Sequence, residues 1–140
     1  MAKPAVLTHP ESLKRPAGPS EYAKHPVNAA LSKKEKVALY TKMARIRHFE
    51  QRCIRVYQQG KIGGFLHLYV GQEAVAAGVM SHLRPSDKIT STHRGHGHLV
   101  AKGGDFRHMY AELFGRVTGY CKGKGGSMHI CDVSIGMLGA

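Results

Sequence analysis

Tryptophan is absent from this chain, and Phe and Tyr together make up only 7% of it. Those few rings do not alternate with Lys and Arg along a strand-like stretch, so the sequence offers no stacking platform for single-stranded nucleic acid. Acidic residues are scarce as well: nine stand against 21 Lys and Arg, for a formal charge of +12. The first 36 residues carry +4 of that excess and the remainder +8, so it is spread through the part that folds. Such a surface calls for an anionic partner, whether nucleic acid, membrane, a phosphate ligand or an acidic subunit, without choosing among them. No run of Lys and Arg exceeds two residues, which counts against nucleic acid. The three cysteines, Cys53, Cys121 and Cys131, are an odd number without a CxxC pair. Neither a zinc ribbon nor a disulfide framework is suggested, and a reducing compartment fits best. No apolar run approaches the roughly 18 residues of a membrane span. The amino terminus has no apolar signal core, and its glutamates and prolines are foreign to a mitochondrial presequence. A cytoplasmic protein without a membrane partner is the expectation.

Proline all but disappears after residue 26, since five of the six lie at Pro4, Pro10, Pro16, Pro19 and Pro26. Residues 1–30 therefore read as a disordered, Pro-rich basic arm, and residues 31–140 as the folding part. Ser32 and Glu35 form an S-x-x-E capping box, which announces a helix. Val37, Tyr40, Met43, Ala44, Ile46, Phe49, Cys53, Val56 and Tyr57 then recur at three- and four-residue steps until Gly60 stops them. "GQEAVAAGVMSHL" (71–83) has the small apolar residues of a tightly packed helix, closed by Pro85. "DKITST" (87–92) is the one clear strand, "GHLVAKGG" (97–104) a short helix, and "DFRHMYAELFG" (105–115) a helix capped by Asp105 and ended by Gly115. The glycines between Tyr120 and Asp132 forbid regular structure there. The final "IGMLGA" is apolar, as if the chain were cut inside its fold.

Chemistry concentrates in three stretches. In "STHRGHGH" (91–98), His93, His96 and His98 have spacings that let three rings converge on a metal, but the helical H-E-x-x-H context is missing. An anion site has the stronger mechanism: a strand leads into Arg94 and two glycines and then into a helix start, so a guanidinium and free backbone amides face one point. "GYCKGKGGSMH" (119–129) supplies Lys122, Lys124 and Ser127 and can wrap the same anion or gate it, although it lacks the Walker order of residues. In "GFLHLYVGQEA" (64–74), His67 lies between apolar neighbours, either as a partly buried ring with a backbone partner or as a titratable group at the lip of a pocket.

Taken in order, "GFLHLYVGQEA", "THRGHGH", "LVAKGGD", "AELFGRVTGYCKGKGGSMHICD" and "GMLGA" resemble the alpha subunit of the thiamine diphosphate-dependent 2-oxo acid dehydrogenases, the decarboxylating component of the pyruvate and acetoin dehydrogenase complexes. The resemblance covers roughly residues 31–140. It implies an α/β fold that binds thiamine diphosphate, of which this chain is the amino-terminal portion, helix-rich with one clear strand. It implies an assembly of two alpha and two beta subunits, a lipoyl-bearing acyltransferase as acceptor, a 2-oxo acid substrate, and no nucleic acid. On the matching positions, His67 lines the substrate end of the pocket as the catalytic residue, while Arg94 and His93 contact the cofactor diphosphate. His93 stands where many pyruvate-type members have tyrosine. Magnesium ligands belong to a G-D-G motif expected downstream of Ala140, so no metal ligand is assigned. "GFLHLYVGQEA" leans toward pyruvate, with acetoin the alternative, since "STHRGHGH" and "KGKGGSMHICD" suit both. Two readings of another class stay open: a basic nucleic-acid-binding module, which a salt series would reveal, and a non-catalytic fragment that only packs against a partner subunit.

Overall fold

The computed structural model describes residues 18–140, which divide into two units, one ending at Glu35 and one spanning 36–140. In the first, α1 (Pro19–Lys24) and α2 (Pro26–Ala30) are short helical turns, where the composition of residues 18–30 predicts irregular chain. Pro19 and Pro26 each sit at a helix start, the one place where a missing N–H and a fixed φ favour helix. The expected disorder of residues 1–17 lies outside the described residues.

The capping box forms as expected. The Glu35 carboxylate accepts from the Ser32 amide at 2.7 Å and from its hydroxyl at 2.6 Å, and the Glu35 amide donates back to Ser32 Oγ. These bonds hold the Glu35 carboxyl below its usual range, the hydroxyl contributing most. The helix they open, α3 (Lys33–Gln58), buries Ile46, Phe49, Glu50, Cys53 and Val56 along one stripe. The expected apolar stripe is wider than the buried one: Val37 and Tyr40 are 55% and 71% exposed.

Three further helices contribute to the same core. They are α4 (Glu73–Ser81), α5 (Gly95–Lys102) and α6 (Phe106–Leu113), each within two or three residues of its expected bounds. Asp105 caps α6 by accepting from the Arg107 and His108 amides, and Gly103 ends α5 in the left-handed region at φ 110°. Phe49 is the hub, its ring centroid 4.7 Å from Tyr110, 5.2 Å from Phe106 and 5.8 Å from His96. Ala76, Met80, Leu99, Met109, Leu113, Ile130 and Met137 complete the core.

The expected strand at 87–92 is reduced to a single parallel bridge between Ile89 and Met137. Ile89 donates to Gly136 and accepts from Leu138, and Ser91 donates to Gly139. That is the beginning of a parallel ladder, and one bridge does not make a sheet. The described residues are thus helix-rich with almost no strand.

Candidate functional site

Of the three residues that the resemblance places at the cofactor and substrate, His67, His93 and Arg94, two have rings in contact. The rings of His67 and His93 stand edge to face with centroids 4.9 Å apart. His93 and Arg94 are exposed, and Arg94 is the residue at which α5 begins. His67 is half-buried, and its Nδ1 is a buried polar atom without a hydrogen-bond partner. An orphaned ring nitrogen costs free energy unless a ligand or water meets it, so this atom is free to bond a water or a bound molecule. The guanidinium at the start of an eight-residue helix is the matching place for an anion.

His67 is held from behind by a buried relay that starts on α3. Glu50, His96 and Ser127 are all buried. His96 Nδ1 lies 3.0 Å from Glu50 Oε1, His96 Nε2 lies 3.1 Å from Ser127 Oγ, and the His67 amide donates to that Oγ at 3.0 Å. One consistent set of protons runs from the His67 amide to Ser127, from the Ser127 hydroxyl to His96 Nε2, and from His96 Nδ1 to the Glu50 carboxylate. The combination looks like a nucleophilic triad, but a serine with only 5% exposure and a backbone amide on its oxygen has no room for a substrate. What the relay does is fix the backbone at His67 to α3 and α5.

His98 serves a second local network. Its Nε2 lies 3.0 Å from the Tyr69 hydroxyl and its Nδ1 contacts Ser91 Oγ, while burial holds its pKa below the usual histidine value. Tyr69 in turn packs against α5, so close that a Cβ on Gly97 would come within 2.2 Å of its ring. His93, His96 and His98 therefore point to three different tasks. Among the described residues no group of three His, Cys, Asp or Glu is placed to hold a metal ion.

The glycine-rich loop 119–129 does cradle an anion, but the anion is the protein's own. Glu112 of α6 accepts from the amides of Cys121 and Gly123 on one oxygen and from those of Gly125 and Gly126 on the other, at 2.7–3.1 Å. Burial alone would raise the carboxyl's pKa, and the four amides outweigh it, so the group sits below its usual value. The backbone amides that the loop could have offered to an external phosphate are thus turned to Glu112. The amides are already engaged, and Ser127 faces inward.

Sequence reasoning missed Glu50 and Glu112, and both could have been found. Glu50 falls between Phe49 and Cys53 on the apolar stripe of α3, and Glu112 three residues after Met109 on that of α6. A carboxylate on a buried helix face needs partners. A cavity of about 280 Å³ bordered by Tyr40, Met43, Ala44, Arg47, His48 and Glu73 contains none of the predicted site residues.

Comparison with known proteins adds a family. The sequence profile of the dehydrogenase E1 component matches residues 41–139. The alpha subunit of acetoin:2,6-dichlorophenolindophenol oxidoreductase from Bacillus subtilis (strain 168) is 56% identical over 111 residues, 79% of this chain and 33% of that protein. The subunit of the same name from Cupriavidus necator is 51% identical over 110 residues, with 79% and 33% covered. Chloroplastic pyruvate dehydrogenase E1 component subunit alpha-3 from Arabidopsis thaliana is 47% identical over 109 residues, with 78% and 26% covered. The chain spans about a third of the length of the first two relatives.

Proposed function

The chain belongs to the dehydrogenase E1 component family, and on that premise we propose that it forms the amino-terminal part of the alpha subunit of a thiamine diphosphate-dependent dehydrogenase. The α/β cofactor-binding fold is part of this proposal, and the parallel pairing of Ile89 with Met137 supports it. Bound thiamine diphosphate would supply the nucleophilic carbon and the electron sink for breaking a carbon–carbon bond beside a carbonyl. Arg94 would hold the diphosphate by charge, with His93 donating one further hydrogen bond. His67 would receive the substrate end, its orphaned Nδ1 orienting the carbonyl compound or moving a proton. That nitrogen is the observation on which the reading chiefly rests.

The described residues do not fit magnesium. Glu50 is bonded to His96, Glu73 to Arg47, and Glu112 to four amides. Magnesium, if the assembly uses it, takes its ligands from elsewhere. A beta subunit, in a two-alpha, two-beta assembly, and a lipoyl-bearing acyltransferase are the partners of this reading, in a cytoplasmic setting. Exposed apolar residues on α3 and α4 support a partner surface. No helix among the described residues is long and apolar enough to cross a membrane.

Pyruvate and acetoin both fit as substrates. The two relatives named for acetoin share 56% and 51% identity with the chain, against 47% for the Arabidopsis relative named for pyruvate, so acetoin is the first to test. The decisive experiment replaces His67 with alanine in the full-length alpha and beta assembly and assays product from acetoin, pyruvate and branched 2-oxo acids. Turnover should fall by about two orders of magnitude, with thiamine diphosphate affinity largely spared. Unchanged turnover would remove His67 from the site.

A further inference from the structure

Cys121 and Cys131 are far enough apart in sequence to escape a CxxC pattern, yet their sulfurs lie 3.5 Å from each other. The loop between them folds back on itself. Lys122 takes φ 56°, Gly123 and Gly126 also have positive φ, and the Cys121 thiol donates to the His129 carbonyl at 3.2 Å. Both thiols are free and only partly covered, whereas Cys53 is buried. A disulfide needs its sulfurs at about 2.05 Å, so the pair has roughly 1.5 Å to close, a distance that side-chain rotation can supply.

We propose that Cys121 and Cys131 are a redox-responsive dithiol that closes into an intrachain disulfide when a low-molecular-weight disulfide such as oxidised glutathione is supplied. One thiolate attacks the oxidant's sulfur–sulfur bond, forming a mixed disulfide and releasing one glutathione thiol. The second thiolate attacks the protein sulfur of that mixed disulfide, and the second glutathione leaves as a thiol. The two electrons and both protons given up by the cysteines end on the two glutathione molecules. The bond ties together the ends of the loop whose amides hold Glu112 and whose Ser127 carries the His67 amide. The inference does not depend on the function proposed above. It concerns a reversible bond, which is the form in which disulfides occur in reducing compartments.

The test treats the full-length chain carrying these residues with oxidised glutathione under native conditions. It then unfolds the chain, alkylates free thiols and measures intact and peptide masses. The expected product has lost the mass of two hydrogen atoms, links the Cys121 and Cys131 peptides, retains the Cys53 thiol and reverts with dithiothreitol. Its urea midpoint should rise on oxidation, while Cys131→Ser should show neither the link nor the rise and should carry glutathione on Cys121. Cys121→Ser repeats the control from the other side in case the first variant folds poorly. Retention of all three thiols, or separate glutathione adducts on Cys121 and Cys131, would overturn the inference.

Discussion

Four amides converge on the Glu112 carboxylate, and few substitutions are smaller in shape and larger in consequence than Glu112→Gln. The amide side chain would turn an NH2 toward two of the four donors, leaving them unpaired at a buried site. A loss of about 2–4 kcal/mol is expected, read as a lower urea midpoint with the m-value unchanged. Ser127→Ala acts differently. It removes the acceptor of the His67 amide without touching the ring, so turnover of the full assembly should fall while cofactor affinity holds; Ser127→Thr should restore part of it. A purely structural Ser127 would lower stability and leave the turnover of folded enzyme unchanged. These roles were only half legible beforehand. Arg94, His93 and His67 stand out through local chemistry and motif order, whereas Glu50 and Glu112 have meaning only through partners that the fold brings from far along the chain.

Helices carried most of what the sequence could say. The Ser32 and Glu35 box and the Asp105 cap act through neighbours two or three positions away, so their outcome was readable. Ser32→Ala should cost about 1 kcal/mol and reduce the helical circular dichroism signal of α3 at its first turn. The strand failed for the opposite reason: its identity depends on a partner, and of residues 87–92 Ile89 alone forms a bridge, to Met137. Between α3 and α4, the Arg47 guanidinium holds the buried Glu73 carboxyl down to about 2, assisted by the Gly71 amide, although burial opposes it. The folded pKa lies below the unfolded one, so this pair stabilises the fold fully above the ordinary value of 4.5 and loses its contribution as pH falls toward 2. Acid titration of Glu73→Gln should therefore show a flatter stability curve across that window than wild type. Closer in, Gly97→Ala on α5 drives a methyl into the Tyr69 ring. A cost of about 1–3 kcal/mol is expected from thermal melting.

For the whole molecule, the order of the motifs led to the family, while the distribution of apolar surface did not show itself in the periodicity. Val37 and Tyr40 continue the core stripe of α3 in sequence but stand in solvent, as do Val75 and Val79 on α4, at 60% and 51% exposure. Nothing in a helical repeat says which turn of a long helix has a neighbour. The chain in isolation should self-associate through this surface. Tyr40→Ser with Val79→Ser should shift sedimentation toward monomer, and an unchanged association would mean the contact lies elsewhere.

The pairing of Ile89 with Gly136 and Leu138 also sets a clock. During synthesis, α3 to α6 can form and begin to pack as they emerge, because their contacts lie within stretches already made. The backbone of residues 89–91 must wait unpaired until residue 139 has left the ribosome. Until then Met137 is missing from a core in which it ends fully buried, and the half-made domain exposes an open strand edge to any chaperone or neighbour that reaches it first.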